Sequence, residues 1–271
     1  MSASNVKMSF AYKPWPARER IWMLAIGKSN AQNVQPQPLG DALALVTGGS
    51  RGIGRAIAMR LASLGAAVAI CGRDAGALNK ASAELAGLGG RVFSHVADVT
   101  RSADVHALVA KTESALGSIT ILVNNAGIGV FGPAHEKSEE DWDRVLNTNL
   151  KSIFLVSKAV APSMISRKSG DIINISSLAG VNAFKGGGLY CASKWGLQGL
   201  SACMAEDLRG YGIRVSVICP GSVATEFSGT SPKDPATVLS ADDVAHVVET
   251  IVTQSPKSFI SQVQIRPLSK P

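Results

Sequence analysis

Short apolar runs alternate with longer segments of helical periodicity from residue 41 to the end of the chain. The apolar runs predict buried strands at 42–47, 67–71, 91–97, 119–124, 170–176, 213–219 and 258–265. The segments between them predict helices near 52–64, 75–87, 102–116, 139–167, 189–210 and 241–254. This alternation is typical of a parallel sheet with helices on both faces, so the sequence predicts a doubly wound, three-layer αβα fold of about seven strands.

Residues 1–40 differ from the rest of the chain. They show no long periodic pattern, contain four prolines, and carry five basic residues against one acidic residue. We expect a poorly ordered N-terminal extension here, followed by one catalytic domain at 41–271. The short apolar patch at 21–26 does not resemble a signal peptide, but the basic, acid-poor composition leaves organelle targeting open.

Charge and composition exclude several classes of function. Of the net charge of +7, residues 1–40 contribute +4, so the remaining chain is only mildly basic and predicts no nucleic-acid partner. No apolar run reaches the roughly 18 residues that span a bilayer, so no membrane partner is predicted either. The four cysteines form no C-x-x-C pair and the four histidines form no ligand pattern, which predicts no metal site and favours the cytoplasm.

A glycine-rich turn, T-G-x-x-x-G-x-G at 47–54, joins the first predicted strand to the first predicted helix. Glycines in such a turn let the backbone approach a phosphate, and the positive end of the helix dipole favours the anion. The Gly-Lys-Ser/Thr ending of a P-loop does not follow. The turn therefore predicts a dinucleotide site, with a tight turn that binds nothing as the alternative.

The end of the second strand bears on the choice between NAD and NADP. Asp74 lies about twenty residues beyond Gly54, where an acidic residue would bind the ribose hydroxyls of NAD. However, Asp74 is also well placed to cap the next helix. Arg51 and Arg73 are able to converge on a 2′-phosphate, although solvated arginines are the alternative. We therefore predict a preference for NADP(H), with NAD(H) as a possible second cofactor.

Tyr190 and Lys194 are four residues apart and share one face of a predicted helix. Tyrosine is a poor base at neutral pH because its ordinary pKa is about 10, and a neighbouring ammonium favours the phenolate. Lowering that pKa to near 7 needs about 4 kcal/mol, much of which one lysine and a positively charged nicotinamide ring are able to supply. Taken alone, the pattern is weak, and a solvated pair is the alternative.

Four motifs in one order resemble the short-chain dehydrogenase/reductase family, including its 3-oxoacyl-acyl-carrier-protein reductases. They are T-G-x-x-x-G-x-G at 47–54, N-N-A-G at 124–127, Ser177 thirteen residues before Y-x-x-x-K, and P-G at 220–221. The similarity covers about residues 40–265. It implies a Rossmann fold, a homodimer or homotetramer, and hydride transfer between a nicotinamide cofactor and a carbonyl or alcohol.

The resemblance also implies residue roles. Tyr190 would be the general acid in ketone reduction, or the base in alcohol oxidation, and Lys194 would hold the nicotinamide ribose and lower the tyrosine pKa. Ser177 would bind the substrate oxygen, and Asn149 would support a water-linked proton relay. The implied cofactor contacts are Gly48, Gly49, Ser50, Arg51, Ile53, Gly54, Arg73, Asp98, Val99, Asn125, Ala126, Gly127, Tyr190, Lys194, Pro220, Gly221, Val223 and Thr225.

This resemblance predicts an NADPH-dependent oxidoreductase that reduces a ketone or a 3-oxoacyl thioester to a secondary alcohol. The alternatives are an alcohol dehydrogenase that works in the oxidising direction and an NADP-binding sensor without turnover. The Arg-Pro ending at 266–267 departs from the glycine-rich C-terminal segment of the 3-oxoacyl reductases. This departure argues against both a 3-oxoacyl-acyl-carrier-protein substrate and the usual tetramer interface. A lid is predicted between Ala224 and Leu239, with bends at Gly229, Pro232 and Pro235. Phe184, Phe227 and Trp195 are candidates for an apolar pocket wall, with core packing as the alternative for Trp195.

Overall fold

The computed structural model describes residues 37–227 and 236–269, and over these ranges it contains one sheet of seven parallel strands. The strands are β1 (Leu43–Thr47), β2 (Ala67–Gly72), β3 (Val92–Val96), β4 (Ile121–Asn124), β5 (Gly170–Ile175), β6 (Ile213–Pro220) and β7 (Gln262–Ile265). Their order in the sheet is β3-β2-β1-β4-β5-β6-β7. The predicted doubly wound sheet is therefore confirmed.

Helices cover both faces of this sheet. In the described ranges they are α1 (Gly52–Ser63), α2 (Ala75–Ala86), α3 (Ser102–Leu116), α4 (Glu139–Leu146), α5 (Ser152–Arg167), α6 (Gly188–Arg209) and α7 (Ala241–Val252). The helix predicted at 139–167 is confirmed over its full length, but a π-helical turn at Asn147–Lys151, which was not predicted, divides it into α4 and α5. None of these helices is long and apolar enough to cross a bilayer.

The strand pattern explains the three layers. Along β1, Leu43 and Leu45 join a core cluster with α3 and α5, whereas Ala44 and Val46 join a second cluster with α1 and α7. Successive side chains of a strand point to opposite faces, so a wholly apolar strand must be covered on both sides. The sheet therefore has two separate apolar cores.

A buried polar network joins the central strands near their carboxyl ends. Asn124 donates to Asn174 Oδ1 at 2.9 Å and to Ser157 Oγ at 3.1 Å, and Asn174 donates to Ser201 Oγ at 2.8 Å. These bonds link β4 and β5 to α5 and α6. They fix the helix that carries Tyr190 against the strand that precedes Ser177.

Two of the predictions concern residues outside the described ranges. Residues 1–36 of the extension predicted at 1–40 lie outside the described ranges. Gly229, Pro232 and Pro235 of the predicted lid lie outside them as well. Within the described part, Leu39 is buried, and its backbone N–H donates to the carbonyl of Leu64 at 3.0 Å. The turn at 37–40 is thereby attached to the end of α1.

Candidate active site

A cleft of about 1250 Å³ lies at the carboxyl ends of the strands. It is centred where β1 meets β4, the point at which the strand order reverses, and open α/β sheets bind ligands at this point. The loops after β1, β2, β3, β4, β5 and β6 all contribute to its wall. The glycine turn and the Tyr190 helix are therefore brought to one site.

The glycine turn forms a backbone cradle at this cleft. Gly48 and Gly52 have φ of 64° and 52°, a region that favours glycine. Within the described residues the side chain of Arg51, at the N-cap of α1, makes no capping hydrogen bond. Arg51, Gly52 and Ile53 line the cleft, so the start of α1 faces it with backbone donors that a side chain does not cap. These residues fit the pyrophosphate of a dinucleotide.

Two glycines predicted to touch the cofactor lie behind the cleft wall. A Cβ on Gly49 would come within 2.6 Å of Ile70, and a Cβ on Gly54 would clash with the Gly48 carbonyl oxygen and with Asn125 Nδ2. Neither glycine lines the cleft. Their absence of a side chain lets α1 and β2 pack closely under the turn.

Asn125 and Thr47 hold the turn in place. Asn125 Nδ2 donates to the carbonyls of Thr47 and Gly48 at 3.0 and 3.2 Å. In return, Thr47 Oγ1 accepts from the backbone N–H groups of Asn125 and Ala126 at 3.0 and 3.1 Å. Asn125, Ala126 and Gly127 line the cleft as predicted. The fastening of the turn by Asn125 and Thr47 was not foreseen, because it joins residues 78 positions apart.

Arg51 and Arg73 both line the end of the cleft beyond the turn. Asp74 accepts from the backbone N–H of Ala77 at 3.0 Å, so the predicted cap of α2 is confirmed. The same carboxylate lies 3.4 Å from Arg51, whose other nitrogen lies 3.9 Å from Glu226. Arg51 therefore spans the mouth of the cleft between two exposed acids.

Asp98 and Val99 line the adjoining wall after β3. Burial raises the pKa of Asp98, but hydrogen bonds from Thr100 and the charges of Arg73 and Arg101 outweigh it and leave the pKa below its usual value. Asp98 is consequently a carboxylate at neutral pH. Because the charge of Arg73 acts on the Asp98 carboxylate, the Arg73 guanidinium lies near the part of the cleft wall that is predicted to border the adenine.

Ser177, Tyr190 and Lys194 meet at the opposite end of the cleft. Tyr190 is 9% exposed and Lys194 is 3% exposed, so the alternative of a solvated pair is wrong. Lys194 Nζ donates to the carbonyl of Ile175 at 2.8 Å and lies 5.8 Å from the centre of the Tyr190 ring. A Cβ on Gly127 would come within 3.9 Å of this Nζ, so the ammonium also faces the loop after β4.

The electrostatics of the tyrosine differ from the prediction. Burial raises the pKa of Tyr190 to about 12, and a hydrogen bond with the Ser177 side chain opposes that rise. Burial also lowers the pKa of Lys194 to about 8. In the protein alone, loss of hydration outweighs the hydrogen bond with Ser177, so the shift is upward. Burial therefore favours the neutral phenol form of Tyr190.

Asn149 lies in the π-helical turn, fully buried and behind the cleft wall. Its Oδ1 accepts from the backbone N–H of Ile128 at 2.8 Å, and its Nδ2 donates to the Ile128 carbonyl at 2.9 Å and to Ser193 Oγ at 3.0 Å. The side chain thus holds the loop after β4 against α6. Ser193, which also donates to the Tyr190 carbonyl at 2.7 Å, was missed by the sequence.

The loop after β6 closes the remaining side of the cleft. Pro220 at the end of β6 and Gly221, Val223 and Thr225 in the loop all line the cleft, and their contact with a cofactor stays a prediction. A Cβ on Gly52 would lie 3.4 Å from Thr225, so this loop reaches the glycine turn. The loop after β6 and the glycine turn after β1, which are far apart in sequence, are therefore neighbours across the cleft.

The aromatic residues of the wall match the prediction only in part. Phe184 and Phe227 line the cleft, but Trp195 is exposed on α6 outside it and packs in neither core. Phe131, which the sequence did not single out, is a third ring in the wall. Its segment has no periodic pattern that would have identified it.

Comparison with known proteins identifies the family. The family model for short chain dehydrogenases matches residues 42–236. A 2-(S)-hydroxypropyl-CoM dehydrogenase 3 from Xanthobacter autotrophicus is 40% identical over 184 residues, covering 68% of this chain and 72% of the relative. A 3-oxoacyl-acyl-carrier-protein reductase from Staphylococcus epidermidis is 38% identical over 194 residues, covering 70% and 79%.

A solved structure agrees with these relatives. The crystal structure of a metagenomic short-chain oxidoreductase in complex with NADP shares 43% identity and a TM-score of 0.77, and the alignment covers 86% of this chain and 100% of that one. Fold, motifs and relatives thus point to one conclusion. The chain belongs to the short-chain dehydrogenase family and is an oxidoreductase of the kind that uses a nicotinamide cofactor.

Proposed function

We propose that the protein reduces a ketone or 3-oxoacyl group to a secondary alcohol with NADPH, and that Tyr190 donates the proton. The observation that carries this proposal is a buried tyrosine that hydrogen-bonds with Ser177 and lies near Lys194 inside the cleft of the glycine turn. The bound cofactor supplies the hydride. Ser177 and Tyr190 orient the carbonyl oxygen, and the Tyr190 proton passes to that oxygen as negative charge develops on it.

The charge of Lys194 supports proton transfer from Tyr190. An ammonium about 6 Å away stabilises a phenolate by on the order of 3 kcal/mol at an effective dielectric constant of 20. Lys194 therefore stabilises the phenolate that remains once the Tyr190 proton has passed to the carbonyl oxygen.

Three observations support NADPH as the cofactor. Arg51 and Arg73 line the end of the cleft beyond the glycine turn, where they suit a 2′-phosphate. Gly72 occupies the end of β2, where an acidic residue would favour NAD. The metagenomic relative was solved with NADP.

The function is tested by following NADPH oxidation with purified protein against a set of neutral ketones and a 3-oxoacyl thioester. We expect turnover with at least one ketone and a higher kcat/KM for NADPH than for NADH. A protein that binds NADP but turns over no carbonyl would support the sensor alternative. Faster oxidation of alcohols with NAD would support the dehydrogenase alternative.

Arg73→Ala tests the cofactor assignment. Charge-assisted hydrogen bonds contribute about 1.5–3 kcal/mol, so removing the guanidinium should raise the KM for NADPH roughly tenfold or more. The KM for NADH should stay within about twofold, because NADH has no 2′-phosphate. Equal losses with the two cofactors would contradict this role of Arg73.

Asp74→Asn is the matched variant, and it is expected to lower the KM for NADPH instead of raising it. Asparagine caps a helix as well as aspartate does, so α2 keeps its N-cap while Arg51 loses the carboxylate at 3.4 Å. The pair is more than half exposed and is worth less than about 1 kcal/mol, so the KM for NADPH should fall by only about two- to fivefold. The gain should shrink as salt is added. An unchanged KM would show that Asp74 does not compete for Arg51.

A further inference from the structure

Three phenylalanines form a chain of ring contacts that includes the Tyr190 ring. The ring centres of Phe131 and Phe227 lie 5.5 and 5.8 Å from that of Tyr190, and Phe184 lies 6.1 Å from Phe131. Phe131 meets the tyrosine edge to face, at an interplanar angle of 66°. We call Phe131, Phe184 and Phe227 the aromatic rim.

The rings of the aromatic rim are partly exposed. Phe131, Phe184 and Phe227 are 37, 49 and 44% exposed, and all three line the cleft. Contiguous exposed apolar surface at a concave site is typical of a surface that a ligand covers. The rim therefore has uncovered ring surface in the cleft that Tyr190 also lines.

Glycines make room for these rings. A Cβ on Gly129 would come within 2.7 Å of Phe131 and 3.1 Å of Phe227, and a Cβ on Gly187 would come within 2.6 Å of Phe184. The rings come from the loops after β4, β5 and β6, which are far apart in sequence. Their convergence on Tyr190 is therefore a product of the fold and not of one local apolar segment.

Few cations line the cleft, and Glu226 is a cleft-lining acid directly before Phe227. Among the described residues that line the cleft, the cations are Arg51, Arg73, Lys194 and Arg266. The first two lie beyond the glycine turn, and Lys194 is buried against the Ile175 carbonyl. Arg266 follows β7 and donates to Gln264 Oε1 at 3.1 Å. It is the guanidinium that an anionic substrate would use.

We infer that the substrate is a ketone with an aryl or similarly flat, uncharged group next to the carbonyl, an inference that rests on the proposed reduction. The flat group lies against the aromatic rim, in the offset or edge-on geometry that aromatic pairs prefer. The carbonyl carbon gains the hydride of NADPH, which leaves as NADP⁺, and the oxygen gains the Tyr190 proton. The product is a neutral secondary alcohol.

The test compares acetophenone with cyclohexyl methyl ketone, which has a ring of similar size without π electrons, and with the anion 3-oxobutanoate. We expect kcat/KM to favour acetophenone over the cyclohexyl ketone by about tenfold, equivalent to about 1.4 kcal/mol. Phe131→Leu and Phe184→Leu should each reduce this ratio by about threefold or more, because leucine is apolar but not aromatic. Phe154→Leu, at an exposed phenylalanine of α5 outside the cleft, should leave it unchanged.

Two results would overturn the inference while the proposed reduction stands. One is an equal kcat/KM for acetophenone and the cyclohexyl ketone. The other is a preference for 3-oxobutanoate that Arg266→Gln abolishes, which would assign the site to an anion.

Calorimetry with the NADP⁺ complex tests whether the aromatic rim binds an aryl group independently of whether the protein reduces ketones. If the protein reduces no ketone, tighter binding of 1-phenylethanol than of 1-cyclohexylethanol would show that the rim selects an aryl group although the proposed reduction is wrong. Equal binding of the two alcohols would overturn the inference as well.

Discussion

Tyr190→Phe is expected to lower kcat for ketone reduction by about 10²–10⁴-fold, the range that a positioned general acid contributes. The Kd for NADPH should stay within about twofold, because phenylalanine keeps the ring that packs against Phe131 and Phe227 and removes only the hydroxyl. Single-turnover rates of NADPH oxidation measure the first quantity, and fluorescence titration of the cofactor measures the second.

The matched control for this variant is Tyr211→Phe, which removes the hydroxyl of an exposed tyrosine outside the cleft and should leave kcat unchanged. The pH profile gives a second check. Because burial lowers the pKa of Lys194 to about 8, the wild-type rate should fall as the pH rises through about 8 and the ammonium loses its proton. A Tyr190→Phe protein with undiminished kcat would remove the phenol from the mechanism.

Gly54→Ala is expected to weaken both the fold and the cofactor site. The new Cβ would clash with the Gly48 carbonyl oxygen and with Asn125 Nδ2, so the helix or the turn must move. Overpacking of this kind costs about 1–3 kcal/mol, which lowers the Tm by several degrees in a domain of this size. Because the displaced atoms belong to the phosphate cradle, the Kd for NADPH should rise about tenfold or more.

Gly199→Ala is the control for the glycine variant. Gly199 lies in α6, where an added Cβ meets no atom within 4 Å. The same substitution should there stabilise the protein by roughly 0.5–1 kcal/mol, because alanine loses less conformational freedom in a helix. Thermal unfolding and NADPH titration on both variants separate the general effect of alanine from the effect of its position. If Gly54→Ala behaved like Gly199→Ala, the close approach of α1 to the turn would be unimportant.

The features predicted well from the sequence are those set by neighbouring residues. The wholly buried β1, the glycine turn that follows it and the Asp74 cap were each predicted from a few consecutive positions. The four-residue spacing of Tyr190 and Lys194 predicted that both would share a helix face, and both line the cleft. Local pattern therefore accounts for these features, whereas Ser177, Asn149 and most of the expected cofactor contacts came from the family resemblance.

The missed features all depend on residues that are distant along the chain. The π-helical turn contains Asn149, whose side chain bonds the backbone of Ile128, a contact that no helix periodicity reveals. The upward shift of the Tyr190 pKa depends on how completely the fold removes water from the hydroxyl, and not on its one lysine neighbour. Phe131 lies in an irregular loop and becomes important only because the fold places it against Tyr190.

The aromatic rim and the proton donor occupy separate parts of the scaffold. Ser177 follows β5 and Tyr190 belongs to α6, both fastened to the interior, whereas the three phenylalanines stand on surface connections that tolerate variation. If the rim binds the substrate as proposed, a change of residue at 131, 184 or 227 should alter the choice of substrate. Saturation libraries at these three positions are a direct route to biocatalysts with new ketone preferences and enantiomeric outcomes.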